Sequence, residues 1–185
     1  YNTNQSIRSP HTSNLKYNKT SVFIHLILAS TIMSNPAMEN FNLAAQEVLI
    51  SPAELKAKMP VTDAAKATIL AGRKTVNDIV QKIDKRLFIV IGPCSIHDIA
   101  AAMDYAKRLK GLADEVKDSI AIVMRVYFEK PRTTVGWKGL INDPPLNRTY
   151  HIEEGLQIGR QLLFATAESA LPTATDALDH LAPLY

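Results

Sequence analysis

Cys94 and the cations between Arg125 and Arg148 are the residues whose types and spacing suit chemistry. Cys94 lies in Gly92-Pro93-Cys94-Ser95-Ile96-His97-Asp98, a turn that closes an apolar run. A lone cysteine is ordinarily a small hydrophobe. In a sharp turn near a histidine it also suits a thiolate metal ligand or a nucleophile. His97 and Asp98 read most simply as a loop histidine and a helix cap. The second group sets Arg125, Lys130, Arg132, Lys138 and Arg148 against Glu129 and Asp143. A solvated basic loop would explain such an excess, but three details favour a site. Arg125 directly follows an apolar strand pattern, where an unpaired charge is costly. Lys130-Pro131-Arg132-Thr133-Thr134 joins a stiffening proline to two cations and two hydroxyls. Gly136-Trp137-Lys138-Gly139 brackets an aromatic and a cation with flexible residues. Guanidinium forks and hydroxyls match phosphate and carboxylate oxygens, so the pattern suits a small polyanionic metabolite.

The elements that must carry these residues alternate in type. Ser51-Pro52-Ala53-Glu54 is a capping box with proline at the first helical position, and that helix ends before Pro60. A second helix starts at Thr62-Asp63. Ile69, Val76, Ile79, Val80 and Ile83 recur at helical spacing to about Ile83, with Gly72 weakening its middle. Leu87-Phe88-Ile89-Val90-Ile91 reads as a strand buried on both faces. Asp98 caps a helix from Ile99 to about Ala113, with Ala102, Tyr105, Ala106, Leu109 and Leu112 inward. Ile120-Ala121-Ile122-Val123-Met124 is a second buried strand. A long connection from Phe128 to Tyr150 leads to a helix marked by Ile152, Leu156, Ile158, Leu162 and Leu163, and a third strand begins within Leu171–Thr175. This order predicts an α/β fold with a parallel sheet, and sites at strand carboxyl ends.

Charge does not support a general nucleic-acid surface. The chain has 21 basic and 18 acidic residues, but Arg8, Lys16 and Lys19 are the only charged residues before Met33, so the remainder is balanced. One cysteine in 185 residues excludes an intramolecular disulfide and fits a reducing cytoplasm. Val22–Met33 is an apolar stretch of 12 residues, well short of the roughly 20 needed to span a bilayer. Residues 1–32 are expected to be a leader or upstream sequence, with Met33 as the natural start. Residues 33–84 are expected to form a helical extension and residues 85–185 the opening of the catalytic domain.

Two long motifs carry a resemblance. Ile89-Val90-Ile91-Gly92-Pro93-Cys94-Ser95-Ile96-His97-Asp98, followed by the block from Met124 through Lys130-Pro131-Arg132-Thr133-Thr134 to Pro144, closely resembles the microbial type I 3-deoxy-D-arabino-heptulosonate 7-phosphate synthases. The likeness covers roughly Leu49 to Tyr185. It implies a (β/α)₈ barrel with an N-terminal extension used in assembly and feedback control, cut off here after about three strands. It implies condensation of phosphoenolpyruvate with erythrose 4-phosphate, release of phosphate, and the first step of the shikimate pathway towards aromatic amino acids. By that resemblance Cys94 is a ligand to a divalent metal, and Arg125 and Lys130 hold phosphoenolpyruvate. Arg132 and Thr133, with Pro131 setting the turn, hold erythrose 4-phosphate, and Lys138 belongs to the same substrate-binding loop. Asp179 and Pro183 fall where the family binds a feedback aromatic amino acid. The wording from Leu49 to Lys56 is nearest the tyrosine-regulated members. A homo-oligomer is implied for the full-length protein, with no nucleic-acid or membrane partner.

Departures from the family pattern carry expectations of their own. Thr175-Asp176 stands where the family usually has a glutamate, one methylene longer, and Leu184-Tyr185 stands where Gln-Tyr is common. The family's remaining metal ligands, on later strands, are not in the sequence, so the isolated chain is expected to be inactive and poorly soluble. The other readings are a non-catalytic truncated product and a related octulosonate-phosphate-type synthase.

Overall fold

The structure, a computed structural model, describes residues 48–131, 135–178 and 180–185. The expectations for residues 1–32, the first part of the 33–84 extension, Arg132, Thr133 and Asp179 lie outside the described residues. Contacts join Val48–Tyr185 into one unit.

Helix α1 (Pro52–Lys58) begins as its sequence dictates. Ser51 Oγ accepts from the Glu54 amide at 3.2 Å, and Glu54 Oε2 accepts from the Ser51 amide at 2.9 Å. Both donors would otherwise be orphaned at the helix start. The single inward side chain, Leu55, is fully buried and packs with Ile50 and Leu156. Helix α2 (Asp63–Val80) is capped by Thr62, whose hydroxyl accepts from Ala65. It stops short of the expected Ile83. Lys82 adopts φ 62°, and the Ile83 amide turns back to the Asp78 carbonyl, an end in the left-handed region that breaks the helical ladder.

Three parallel strands follow in the order β1 (Leu87–Ile91), β2 (Ile120–Arg125) and β3 (Thr173–Ala174). Helix α3 (Ile99–Val116) joins the first two strands and α4 (Ile152–Glu168) the last two. Leu87 pairs with Ile120, Ile91 with Met124, and Arg125 with Ala174. The α/β class and the parallel pairing therefore match the expected order. The main core gathers Met124, Val126 and Phe128 from β2 and its extension, Ala102, Ala106 and Leu109 from α3, and Leu162 and Leu171 from the α4–β3 segment. Thr62 also donates from its hydroxyl to Glu168 at 2.8 Å, tying the start of α2 to the end of α4.

Two burial expectations are corrected. Strand β1 is not buried on both faces: its five residues are 39–70% exposed. Among the described residues it is the sheet edge, with a neighbour on one side only, whereas β2, flanked by two strands, buries Ala121, Val123 and Met124. Leu112 is 48% exposed, because α3 turns Ala102, Ala106 and Leu109 towards the core instead. Among the described residues no helix is long and apolar enough to cross a membrane.

Candidate active site at the carboxyl ends of the strands

Strand β1 ends in the turn carrying Cys94, and β2 runs on into Val126–Lys130. The two exits lie side by side, with the Ile96 amide donating to the Tyr127 carbonyl at 2.9 Å and the Ser95 hydroxyl to the Glu129 carbonyl at 3.3 Å. Gly92 makes that approach possible. A Cβ at this position would stand 2.2 Å from the Arg125 carbonyl oxygen, far inside contact distance.

Arg125 is half-buried, and its charge is met by backbone oxygens. Its Nη2 donates to the Gly92 carbonyl at 2.8 Å and its Nε to the Pro93 carbonyl at 3.3 Å. The guanidinium also lies 5.0 Å from the centre of the Tyr127 ring, a favourable cation–π placement. Lys130 Nζ donates to Cys94 Sγ at 3.1 Å. Two of the cations expected at the site, Arg125 and Lys130, thus meet the exposed turn that holds the only thiol.

The loop beyond Lys130 is braced by its own backbone. The Lys130 amide donates to the Lys138 carbonyl at 3.0 Å, and Glu129 and Gly139 form an antiparallel bridge. Gly139 has φ 110°, and a Cβ there would sit 2.2 Å from the Phe128 carbonyl oxygen. Trp137 Nε1 donates to the Asp143 carbonyl at 2.7 Å, and the buried Asp143 carboxylate accepts from the Arg148 amide at 3.1 and 3.2 Å. Lys138 and Pro131 are exposed. Arg148, counted among the cations by sequence, enters this framework through its backbone amide. His97 meets the edge of Trp137 at 6.4 Å between ring centres, and Asp98 caps α3 by accepting from Ala101.

Asp176 was read in the sequence only as a shortened glutamate, yet it is built into the site. Its Oδ2 accepts from the Glu129 amide at 3.2 Å, and its Oδ1 accepts from the Thr175 hydroxyl at 3.1 Å and lies 3.5 Å from the Phe128 amide. Arg160 was missed altogether. Its Nε and Nη2 donate to the Met59 carbonyl at 3.1 and 2.9 Å, its Nη1 donates to the Tyr185 carbonyl, and it stacks 4.5 Å over Phe164. Burial lowers its pKa from the ordinary arginine value. A conspicuous signal was wanting, since Arg160 occurs in an ordinary amphipathic helix. Arg160 and Pro183 line a cavity of about 280 Å³ together with Lys56, Phe164, Asp176 and Tyr185.

A cysteine thiol is a suitable donor to a divalent metal. Among the described residues no group of three His, Cys, Asp or Glu side chains converges. Cys94 therefore fits as one ligand and not as a complete set.

A model of the DAHP synthetase I family matches residues 54–185. The Tyr-sensitive phospho-2-dehydro-3-deoxyheptonate aldolase of Escherichia coli K12 is 50% identical over 153 residues, covering 83% of this chain and 43% of that protein. The Phe-sensitive enzyme of the same organism is 50% identical over 149 residues, covering 80% of this chain and 43% of its own length. A solved phospho-2-dehydro-3-deoxyheptonate aldolase from Francisella tularensis SCHU S4 superposes with a TM-score of 0.75 at 44% identity, covering 77% of this chain and 42% of that one. The chain spans less than half the length of these relatives. Its matched region runs from the capping box of α1 to the last residue and takes in both strand-end motifs, so the chain belongs to the DAHP synthetase I family.

Proposed function

We propose that this chain supplies the thiol ligand and part of the phosphoenolpyruvate cradle of a 3-deoxy-7-phosphoheptulonate synthase. That enzyme condenses phosphoenolpyruvate with erythrose 4-phosphate, releases phosphate and opens the shikimate pathway. The observation that carries the reading is the meeting of Lys130 with Cys94 at 3.1 Å, beside an Arg125 held on the same turn. Residues 85–185 would then be the first three strands of a (β/α)₈ barrel, and residues 33–84 an extension used in assembly. The half-exposed edge strand β1 suits a sheet that continues.

In this reading Arg125 and Lys130 pair with the carboxylate and phosphate of phosphoenolpyruvate. Pro131, Arg132, Thr133 and Lys138 receive erythrose 4-phosphate. Fixed cations screen two anionic reactants from one another, and holding them in register removes much of the entropic barrier to carbon–carbon bonding. A divalent metal held by Cys94 and further ligands would polarise the aldehyde. One thiolate cannot retain such an ion tightly, so the 185-residue chain alone is expected to be inactive. Asp179 and Pro183 would belong to a feedback site. The 280 Å³ cavity beside Pro183, with Arg160, Phe164 and Tyr185 in its walls, suits a free aromatic amino acid. The Tyr-sensitive and Phe-sensitive names of the relatives support that class of effector.

Calorimetric titration of the purified chain with phosphoenolpyruvate tests the cradle. Lys130→Ala is expected to weaken binding roughly tenfold, as loss of a charge-assisted contact does. Unchanged affinity in both Lys130→Ala and Arg125→Ala would sink the assignment. Turnover by the chain in a coupled phosphate-release assay would overturn the claim that further ligands are needed.

A further inference from the structure

The third strand is only two residues long, yet the chain opposite it continues to a functional lysine. The β2–β3 ladder advances in steps of two residues: the Met124 amide donates to the Pro172 carbonyl at 2.8 Å, and the Val126 amide to the Ala174 carbonyl at 2.8 Å. The same parallel register would next send the Phe128 amide to the carbonyl of residue 176. The strand has already ended, and the Asp176 side chain occupies that place. Its Oδ1 lies 3.5 Å from the Phe128 amide and its Oδ2 accepts from the Glu129 amide at 3.2 Å, with the Thr175 hydroxyl bracing Oδ1 at 3.1 Å. One carboxylate thus faces two successive amides, a pairing that backbone carbonyls in a regular ladder do not make. The next residue is Lys130, whose ammonium reaches Cys94.

The geometry points to Asp176 as a positioning residue for Lys130: its carboxylate extends the β2–β3 ladder by a side chain and fixes the segment that presents the lysine to the Cys94 turn. The assignment rests on the proposed role of Lys130 in holding phosphoenolpyruvate, although the positioning itself does not. Asp176 acts on backbone donors one and two residues before the lysine, where a small rotation is amplified along a four-carbon side chain. A carboxylate serves better than an amide, because charge-assisted bonds to N–H donors are shorter and stronger.

The test compares wild type with Asp176→Asn and Asp176→Ala in the full 185-residue chain, with far-ultraviolet circular dichroism confirming that each variant is folded. Asn is nearly isosteric and retains one acceptor, so it separates loss of the carboxylate from loss of the fold. The first readout is the yield of Cys94–Lys130 cross-link from a short maleimide–succinimidyl ester, mapped by mass spectrometry; Cys94 is the only thiol. The second is phosphoenolpyruvate affinity by calorimetry. Asp176→Asn is expected to lower the cross-link yield and weaken phosphoenolpyruvate binding, the latter by roughly tenfold, in line with a lost charge-assisted bond. A fall in cross-linking with no measurable wild-type binding would support the positioning and sink the cradle. Wild-type binding with cross-link yield and affinity unchanged in both variants would overturn the positioning and leave the cradle standing.

Discussion

Gly92 shows how little latitude the site has at the level of one atom. Adding a methyl group places carbon 2.2 Å from the Arg125 carbonyl oxygen, and relief requires the Cys94 turn and the β2 exit to separate. Gly92→Ala is expected to destabilise the folded unit by about 2 kcal/mol, within the range for overpacking a tight site. If the proposed phosphoenolpyruvate cradle holds, its affinity should fall as well, since Arg125 is anchored on Gly92 and Pro93. A urea melt together with calorimetry on the variant checks both. Tyr185→Phe is a milder change: it removes a hydroxyl that donates to the Ile50 carbonyl at 2.8 Å and should cost about 1 kcal/mol in the same melt.

The elements divide into those written locally and those set by distant neighbours. The capping box of α1, the Asp98 cap of α3 and the three strand positions were legible because each depends on adjacent residues or on a short apolar run. The exposure of β1 was not legible, because an apolar strand reads alike whether or not a second element covers it. Nor was the anchoring role of Asp176, which needs the register of β3 against β2. Gly72 is a further case. By propensity alone its replacement with alanine would strengthen α2 by up to about 1 kcal/mol. In the fold a Cβ would lie 2.7 Å from Pro172 Cβ, so Gly72→Ala is expected to lower the urea midpoint instead. The cap of α1 also has a pH signature. The Ser51 hydroxyl, and then its amide, hold the Glu54 carboxyl below its ordinary pKa. A depressed carboxylate contributes stability that is present above its unfolded pKa and lost as pH falls through the folded value. The Ser51 amide resonance should therefore shift as acid protonates Glu54, and Glu54→Gln should abolish that transition.

At the scale of the molecule, the edge that the described residues leave beside β1 is a liability. Leu87–Ile91 is an uncharged, proline-free strand that, among the described residues, is paired on one side only, the kind of template that recruits other chains. Ile89→Lys, at a position 41% exposed, is expected to raise the soluble concentration after centrifugation while changing the urea midpoint little. Arg160 has the opposite influence. One side chain on α4 holds the Met59 carbonyl just past α1 and the Tyr185 carbonyl. The segment just past α1 and the Tyr185 segment are thereby held by a shared clasp. Deuterium uptake near Met59 and near Tyr185 should rise in concert when Arg160 is replaced by methionine, although the two segments are far apart along the chain.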